Sequence, residues 1–247
     1  MKKHIPNLIT TTSLILASWS IPLIFEGKMD LACYLLIGSC FCDFFDGFSA
    51  RLLKVSNPLG EQLDSLVDMV AFGVAPGILT YKYIQLLQET YPTALFSDIS
   101  WLSYIAFLIP IMSAFRLAKF NIDTRQTTSF YGLATPANAS FYIYIVLIYL
   151  YPDLPMLLPA NEAIFNLISS PAFITGLTIF LSFMMVANVP MFSLKFKNLK
   201  WKGNEIRFTF IGLWAILMFL INIAAIPLIG AMYIVWSIIT MKKNSVA

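Results

Sequence analysis

Residues 43–68 read D-F-F-D-G-F-S-A-R-L-L-K-V-S-N-P-L-G-E-Q-L-D-S-L-V-D, four aspartates in an otherwise greasy setting. Asp43 and Asp46 are three apart and Asp64 and Asp68 four apart, so on helices each pair lies on one face. Ser56-Asn57-Pro58 between them is turn chemistry and predicts an antiparallel helix hairpin with the two acid pairs facing each other. Ionised carboxylates near lipid cost at least about 2–3 kcal/mol each on insertion scales and persist mainly where they act. Four of them together repel unless a divalent cation or shared protons hold them. Asp43, Asp46, Asp64 and Asp68 are therefore expected to form an oxygen-rich cage for one or two ions, Mg²⁺ or Mn²⁺, with Ca²⁺ also suited.

The hairpin sits in a chain built for a bilayer. Of its 247 residues 59% are hydrophobic and 12% charged, against roughly a quarter charged in soluble domains. Apolar stretches recur along the whole length, which leaves no room for a separate soluble domain. Spans are expected at 7–25, 31–52, 61–82, 101–120, 137–151, 172–194, 207–223 and 226–241. As one helix, residues 208–241 would run roughly 50 Å, beyond a hydrocarbon core of about 30 Å. Pro227, after Asn222 and two alanines, predicts a turn that divides them. The expected fold is all-α, a polytopic helical bundle.

Charge placement sets the orientation. With a cytoplasmic N-terminus, Lys2, Lys3, Arg51, Lys54, Arg116, Lys119, Arg125, Lys195, Lys197, Lys200, Lys202, Arg207, Lys242 and Lys243 all fall inside. Only Lys28 and Lys82 fall outside, as the positive-inside rule expects. Both termini and the acid hairpin are then cytoplasmic, the acids at headgroup depth. The first apolar stretch is too long for a signal peptide and reads as a retained span.

Residues around the acids point to phosphate. Gly47, Ala50 and Gly60 remove bulk near the acid faces, which lets helices or a ligand approach closely. Arg51 can hold phosphate oxygens bidentately, or serve only as a topological anchor, and the same choice holds for Arg116. Acids, glycine and arginine together suggest a pyrophosphate-linked substrate. Cys33, Cys40 and Cys42 read as packing residues rather than a zinc site. His4 receives no role, and no Gly-rich phosphate loop, nucleophilic triad or nucleic-acid signature is present. Segment 121–137 is the expected substrate-covering loop.

The string D-x2-D-G-x2-A-R-x8-G-x3-D-x3-D, met by Asp43, Asp46, Gly47, Ala50, Arg51, Gly60, Asp64 and Asp68, resembles the signature of the CDP-alcohol phosphotransferases. H-I-P-N-L-I-T at 4–10, S-L-V-D-M-V-A-F-G-V-A-P-G at 65–77 and R-L-A-K-F-N at 116–121 resemble the membrane-integral bacterial phosphatidylserine synthase branch of that family. So do F-Y-G-L-A-T-P-A at 130–137 and M-V-A-N-V-P-M-F-S-L-K at 185–195. Two positions depart from it: Lys119 stands where arginine is usual and Ala134 where proline is common.

The resemblance implies a six-helix core over residues 1–200, an additional C-terminal transmembrane hairpin over 201–247, and a homodimer in the inner membrane. It implies transfer of a phosphatidyl group from CDP-diacylglycerol to L-serine, releasing CMP, with Asp68 as general base as well as metal ligand. CDP-diacylglycerol would be bound by Asn7 (which precedes Leu8), Gly47, Ala50, Arg51, Gly60 and Arg116. Serine would be bound by Lys119, Asn121, Arg125, Gly132 and Thr135. Two other readings stay open: a glycerol 3-phosphate or inositol phosphate acceptor, and, from a different class, a cation-coupled transporter.

Overall fold

Small and hydroxyl side chains recur on the first helix at alternating steps of four and three, a spacing that keeps them on one face. Pro6, Thr10, Ser13, Ala17, Ser20 and Ile24 are the buried residues of α1 (His4–Phe25). They pack against Met29, Ala32, Cys33, Leu36, Ser39 and Asp46 of α2 (Met29–Leu53). Small residues allow close backbone approach, and serine adds interhelical hydrogen bonds. The Ser13 and Ser39 hydroxyls lie 2.7 Å apart, and each is 3.0 Å from the other residue's carbonyl. Gly27, at φ +79°, ends α1 while the Lys28 N–H returns to the Leu23 carbonyl at 2.9 Å. That left-handed cap turns the chain directly into α2. The computed structural model describes residues 4–53, 55, 58–122, 130–152, 161–191 and 205–244.

The acid hairpin continues into a helical run of 33 residues, Pro58–Thr90. It consists of α3 (Pro58–Asp68), a π-helical turn (Met69–Val74) and α4 (Ala75–Thr90). The expected span 61–82 is thus too short. Lys82, whose ammonium sits 5.8 Å from the Phe25 ring at the far end of α1, is followed by two more helical turns. Those turns carry buried Tyr83, Ile84 and Leu87 into the main core. The Tyr83 hydroxyl donates to the Ile168 carbonyl at 2.8 Å.

A single 3₁₀ stretch (Leu102–Phe107) leads into α5 (Leu108–Ile122). Here glycine serves close approach. A Cβ on Gly77 would meet Pro110 Cδ at 2.8 Å, and one on Gly73 would meet Ser113 Cβ at 3.1 Å. The π-helical turn and α5 therefore run nearly in backbone contact, which brings Arg116 level with Asp68.

The next expected span, 137–151, is α6 (Thr135–Leu150). The span expected at 172–194 differs from the structure. It is a pair, α7 (Asn161–Ile168) and α8 (Pro171–Val186), bent by 72° at the Ser169–Ser170 break. Pro171 disfavours helical geometry at Ser170, which accordingly is extended at ψ 117°. Helix α8 stops at Val186, before the expected 194, because Ala187 turns extended and Pro190 follows. There β2 (Pro190–Met191) pairs antiparallel with β1 (Phe130–Tyr131).

The last apolar residues form α9 (Glu205–Ile221), a 3₁₀ turn (Asn222–Ala224) and α10 (Ala225–Asn244). Phe208–Ile239 has no non-helical gap longer than the 3₁₀ turn, and by length alone passes as one span. Its course is nevertheless a reversal. The Phe210 and Tyr233 rings lie 6.0 Å apart, whereas a straight helix would separate them by about 34 Å. The chain turns at Asn222, φ +52°, so Pro227 lies in the first turn of α10 rather than at the bend. Among the described residues, five helical runs, with Phe208–Ile239 counted as one, are long and apolar enough to cross a bilayer, or six if the bent pair is one span. Helix α6, at 16 residues, is shorter.

Candidate active site and metal centre

Helices α2 and α3 bring the acids together at one end of the bundle. Carboxylate oxygens of Asp43, Asp64 and Asp68 all lie within 4.8 Å of one another. The Asp43 and Asp68 side chains are close enough to hydrogen-bond. The cluster is half-buried, and Oδ1 of Asp68 is fully buried with no hydrogen-bond partner. An orphaned carboxylate oxygen is costly in such a setting. Three converging oxygens with one unmet fit a hard divalent cation.

Asp46 stands apart from this trio. It is 6% exposed, and its Oδ2 accepts the Thr10 hydroxyl at 2.6 Å. The same hydroxyl lies 3.0 Å from the Pro6 carbonyl one turn back. Helix α1 thus holds Asp46 from behind, within electrostatic range of Asp64. Thr10 was visible in the sequence only as the end of H-I-P-N-L-I-T; nothing local marked it as a partner of an acid 36 residues away. Asn7 sits half-buried one turn earlier on the same helix.

Arg51 is exposed and folds back along α2, so that its Nη1 lies 3.8 Å from the point where Gly47 would carry a Cβ. That is ordinary contact, so packing alone does not demand glycine at position 47. Ala50 lies beside it on α2, half-buried, and Gly60 lies one turn before Asp64 on α3. Arg116, on α5, has Asp68 and Tyr233 as its electrostatic neighbours. Its Nε is buried without a partner, and its guanidinium carbon is 5.8 Å from the Phe120 ring. Among the described residues, neither arginine pairs with any of the four acids, which leaves both guanidinium groups available to an anion.

The residues expected around the acceptor divide into two places. Asn121 Nδ2 donates to Ser65 Oγ at 3.1 Å, which places it against the residue after Asp64. Lys119 instead donates to Asn188 Oδ1 at 2.5 Å and reaches the Val186 carbonyl at 3.5 Å, at the end of α8. Gly132 has a backbone reason for its identity. It sits at φ +77°, and a Cβ there would overlap the Met185 carbonyl. Its N–H donates to Val189 O at 2.9 Å, and that of Leu133 to Met184 O at 3.0 Å. The expected covering loop 121–137 is therefore partly fixed, since 130–134 is clamped to the end of α8. Residues 123–129, with Arg125, lie outside the described residues, as do Lys195–Lys202. Thr135, in the first turn of α6, is buried with its hydroxyl unpartnered.

Three acids that could hold a metal ion thus lie beside a half-buried arginine whose Nε has no partner, and sequence comparison places the chain in a family. The profile of the CDP-alcohol phosphatidyltransferases matches residues 3–175, and the chain belongs to that family. The CDP-diacylglycerol–serine O-phosphatidyltransferase of Helicobacter pylori strain J99 is 32% identical over 236 residues, covering 95% of this chain and 89% of that protein. The Bacillus subtilis protein of the same name is 32% identical over 133 residues, 54% of this chain and 70% of its own length. An archaetidylserine synthase from Methanothermobacter thermautotrophicus is 30% identical over 151 residues, 56% of this chain and 58% of that protein.

Proposed function

We propose that the protein is a CDP-diacylglycerol–serine O-phosphatidyltransferase: CDP-diacylglycerol and L-serine give phosphatidylserine and CMP. The observation that carries the reading is the convergence of Asp43, Asp64 and Asp68 within 4.8 Å, with Arg116 beside Asp68. Asp43, Asp64 and Asp68 would hold the divalent ion, Mg²⁺ or Mn²⁺, and Asp46, steadied by Thr10, would complete the cage. When bound, such an ion neutralises the diphosphate and stabilises charge on the departing nucleotide.

Each remaining step belongs to the chain's own residues. Arg51 and Arg116 supply planar, permanently charged donors to diphosphate oxygens. Asp68 accepts the proton of the serine hydroxyl as its oxygen attacks the phosphorus bearing the diacylglycerol. The new P–O bond forms as the bond to CMP breaks, CMP leaves with the electron pair, and the proton stays on Asp68. Asn121 and Lys119 flank the entry for the amino acid, on the α3 and α8 sides respectively. The site opens to the cytoplasm at headgroup depth in the inner membrane, where a water-soluble acceptor meets a lipid donor, and the protein acts as a homodimer.

Purified protein supplied with CDP-diacylglycerol and a panel of serine, glycerol 3-phosphate and inositol phosphate tests this. CMP release with serine alone is expected. Faster release with a phosphorylated acceptor would move the protein to another branch of the family. Cation-driven flux without CMP release would make it a transporter.

A further inference from the structure

Several residues expected around the acceptor meet at the end of α8. Lys119 donates to Asn188 and reaches the Val186 carbonyl, while the Gly132 and Leu133 N–H groups donate to the Val189 and Met184 carbonyls at 2.9 and 3.0 Å. Helix α6 starts at this clamp, and its first inward residues are polar. Thr135 and Asn138 stand three apart on one face, and both are fully buried. By helical spacing Asn138 falls between Phe141 and Tyr142, one turn nearer the clamp. Those two side chains pack in one apolar cluster with Leu133, Leu181, Met184 and Met185. Yet among the described residues Asn138 Oδ1, Asn138 Nδ2 and Thr135 Oγ1 have no hydrogen-bond partner, and neither has Ser182 Oγ, between Leu181 and Met184 on α8. The same seam adjoins the acids. The π-helical turn after Asp68 packs on α6, and a Cβ on its Gly73 would meet Ser113, whose hydroxyl lies 3.8 Å from Met185 Sδ.

Burying polar atoms without partners is costly, and an amide with neither its donor nor its acceptor used is a conspicuous case. The backbone of Asn138 is satisfied, its N–H 2.9 Å from the Ala134 carbonyl, so the unmet demand is the side chain's alone. We propose that Asn138, with Thr135, is a specificity-determining residue for the acceptor, offering a neutral amide and hydroxyl to the ammonium and carboxylate of an amino acid. The amide carbonyl and the Thr135 hydroxyl accept from the ammonium, and the amide NH₂ donates to the carboxylate. A zwitterion has no net charge, so neutral groups suffice to hold it. A phosphorylated acceptor would carry net negative charge into the same seam, at a far larger desolvation cost. Both side chains are closed off from solvent, so the acceptor enters by parting the end of α8 from the start of α6 at the clamp. The assignment rests on the proposed phosphatidyl transfer to serine.

The test uses the full-length protein in detergent with Mg²⁺, comparing wild type with Asn138→Leu, Asn138→Ser and Ser103→Ala. Leucine keeps most of the volume and removes both unpaired atoms, whereas serine is smaller and keeps a donor and an acceptor. Ser103, on the 3₁₀ stretch before α5, is also fully buried with an unpartnered hydroxyl and serves as the control. The KM for serine should rise at least about tenfold in Asn138→Leu and less in Asn138→Ser, with the KM for CDP-diacylglycerol within about twofold of wild type. The thermal midpoint of Asn138→Leu should hold or rise, because an apolar group of similar shape replaces an unpaired buried amide. Ser103→Ala should keep both KM values. A merely structural asparagine would instead lower the midpoint and shift both KM values together. That result, or an unchanged serine KM in the two Asn138 variants, would overturn the proposal. If the leucine variant does not fold, Asn138→Ser decides by the same comparison. Wild-type protein that binds CDP-diacylglycerol but releases no CMP with serine would refute the phosphatidyl-transfer reading and this inference with it. Normal wild-type turnover with a serine KM unmoved in the variants would remove only the role of Asn138.

Discussion

The Thr10 hydroxyl donates to Asp46 Oδ2 at 2.6 Å across the interface of the first two helices. It separates the four acids of the hairpin into a converging trio and one member held from behind. Thr10→Val keeps the shape and leaves a buried carboxylate oxygen without its donor, which costs about 1–3 kcal/mol. CMP release should fall roughly tenfold in Thr10→Val and largely persist in Thr10→Ser. Equal activity in the two variants would remove Thr10 from the site.

The trio carries a second expectation. Chelator should abolish CMP release, and Mg²⁺ or Mn²⁺ should restore it. In metal titrations, Asp43→Asn and Asp64→Asn should each raise the concentration for half-maximal activity by at least about tenfold, since each removes an anionic ligand. Asp46→Asn should raise it less. A metal-stripped preparation with full activity would refute the cage.

The residues proposed for acceptor recognition lie in two places. Asn121 is hydrogen-bonded beside Asp64 through Ser65, whereas Lys119 is hydrogen-bonded to the end of α8. Asn121→Ala and Lys119→Ala should both raise the KM for serine more than that for CDP-diacylglycerol. Ser65→Ala should reproduce part of the Asn121 effect, and Asn188→Ala part of the Lys119 effect. Equal shifts in both KM values would assign these residues to general support.

Gly132 makes a prediction about stability. Alanine there would have to adopt φ near +77° and would overlap the Met185 carbonyl. The left-handed conformation alone costs about 1–2 kcal/mol. Gly132→Ala should lower the thermal midpoint clearly, while Gly176→Ala, which has open space around it, should not.

The acids were legible in the sequence because helical spacing is local: steps of three and four and a turn between them place Asp43, Asp64 and Asp68 face to face. Composition likewise exposed the helical membrane class. What stayed hidden was set by contacts between distant segments. The π-helical turn after Asp68 has no sequence period of its own, and it lies where Gly73 meets Ser113 on another helix. The break at Ser169–Ser170 was masked by the apolar run around it, although Pro171 marked it. The Thr10–Asp46, Lys119–Asn188 and Asn121–Ser65 pairs join residues 36, 69 and 56 positions apart. At Gly132, expected from the resemblance as an acceptor contact, the backbone supplies a further reason for glycine that no local pattern announces, its φ of +77°.

Asp68 is proposed to accept the proton of the attacking hydroxyl within a site assembled by Asp43 and Asp64. The most direct measurement is single-turnover CMP release by Asp68→Asn, alongside its equilibrium affinity for CDP-diacylglycerol in saturating Mg²⁺. Turnover should fall at least about a thousandfold with affinity within a few-fold of wild type, as expected for loss of a transition-state proton acceptor. Turnover close to wild type in Asp68→Asn would contradict it.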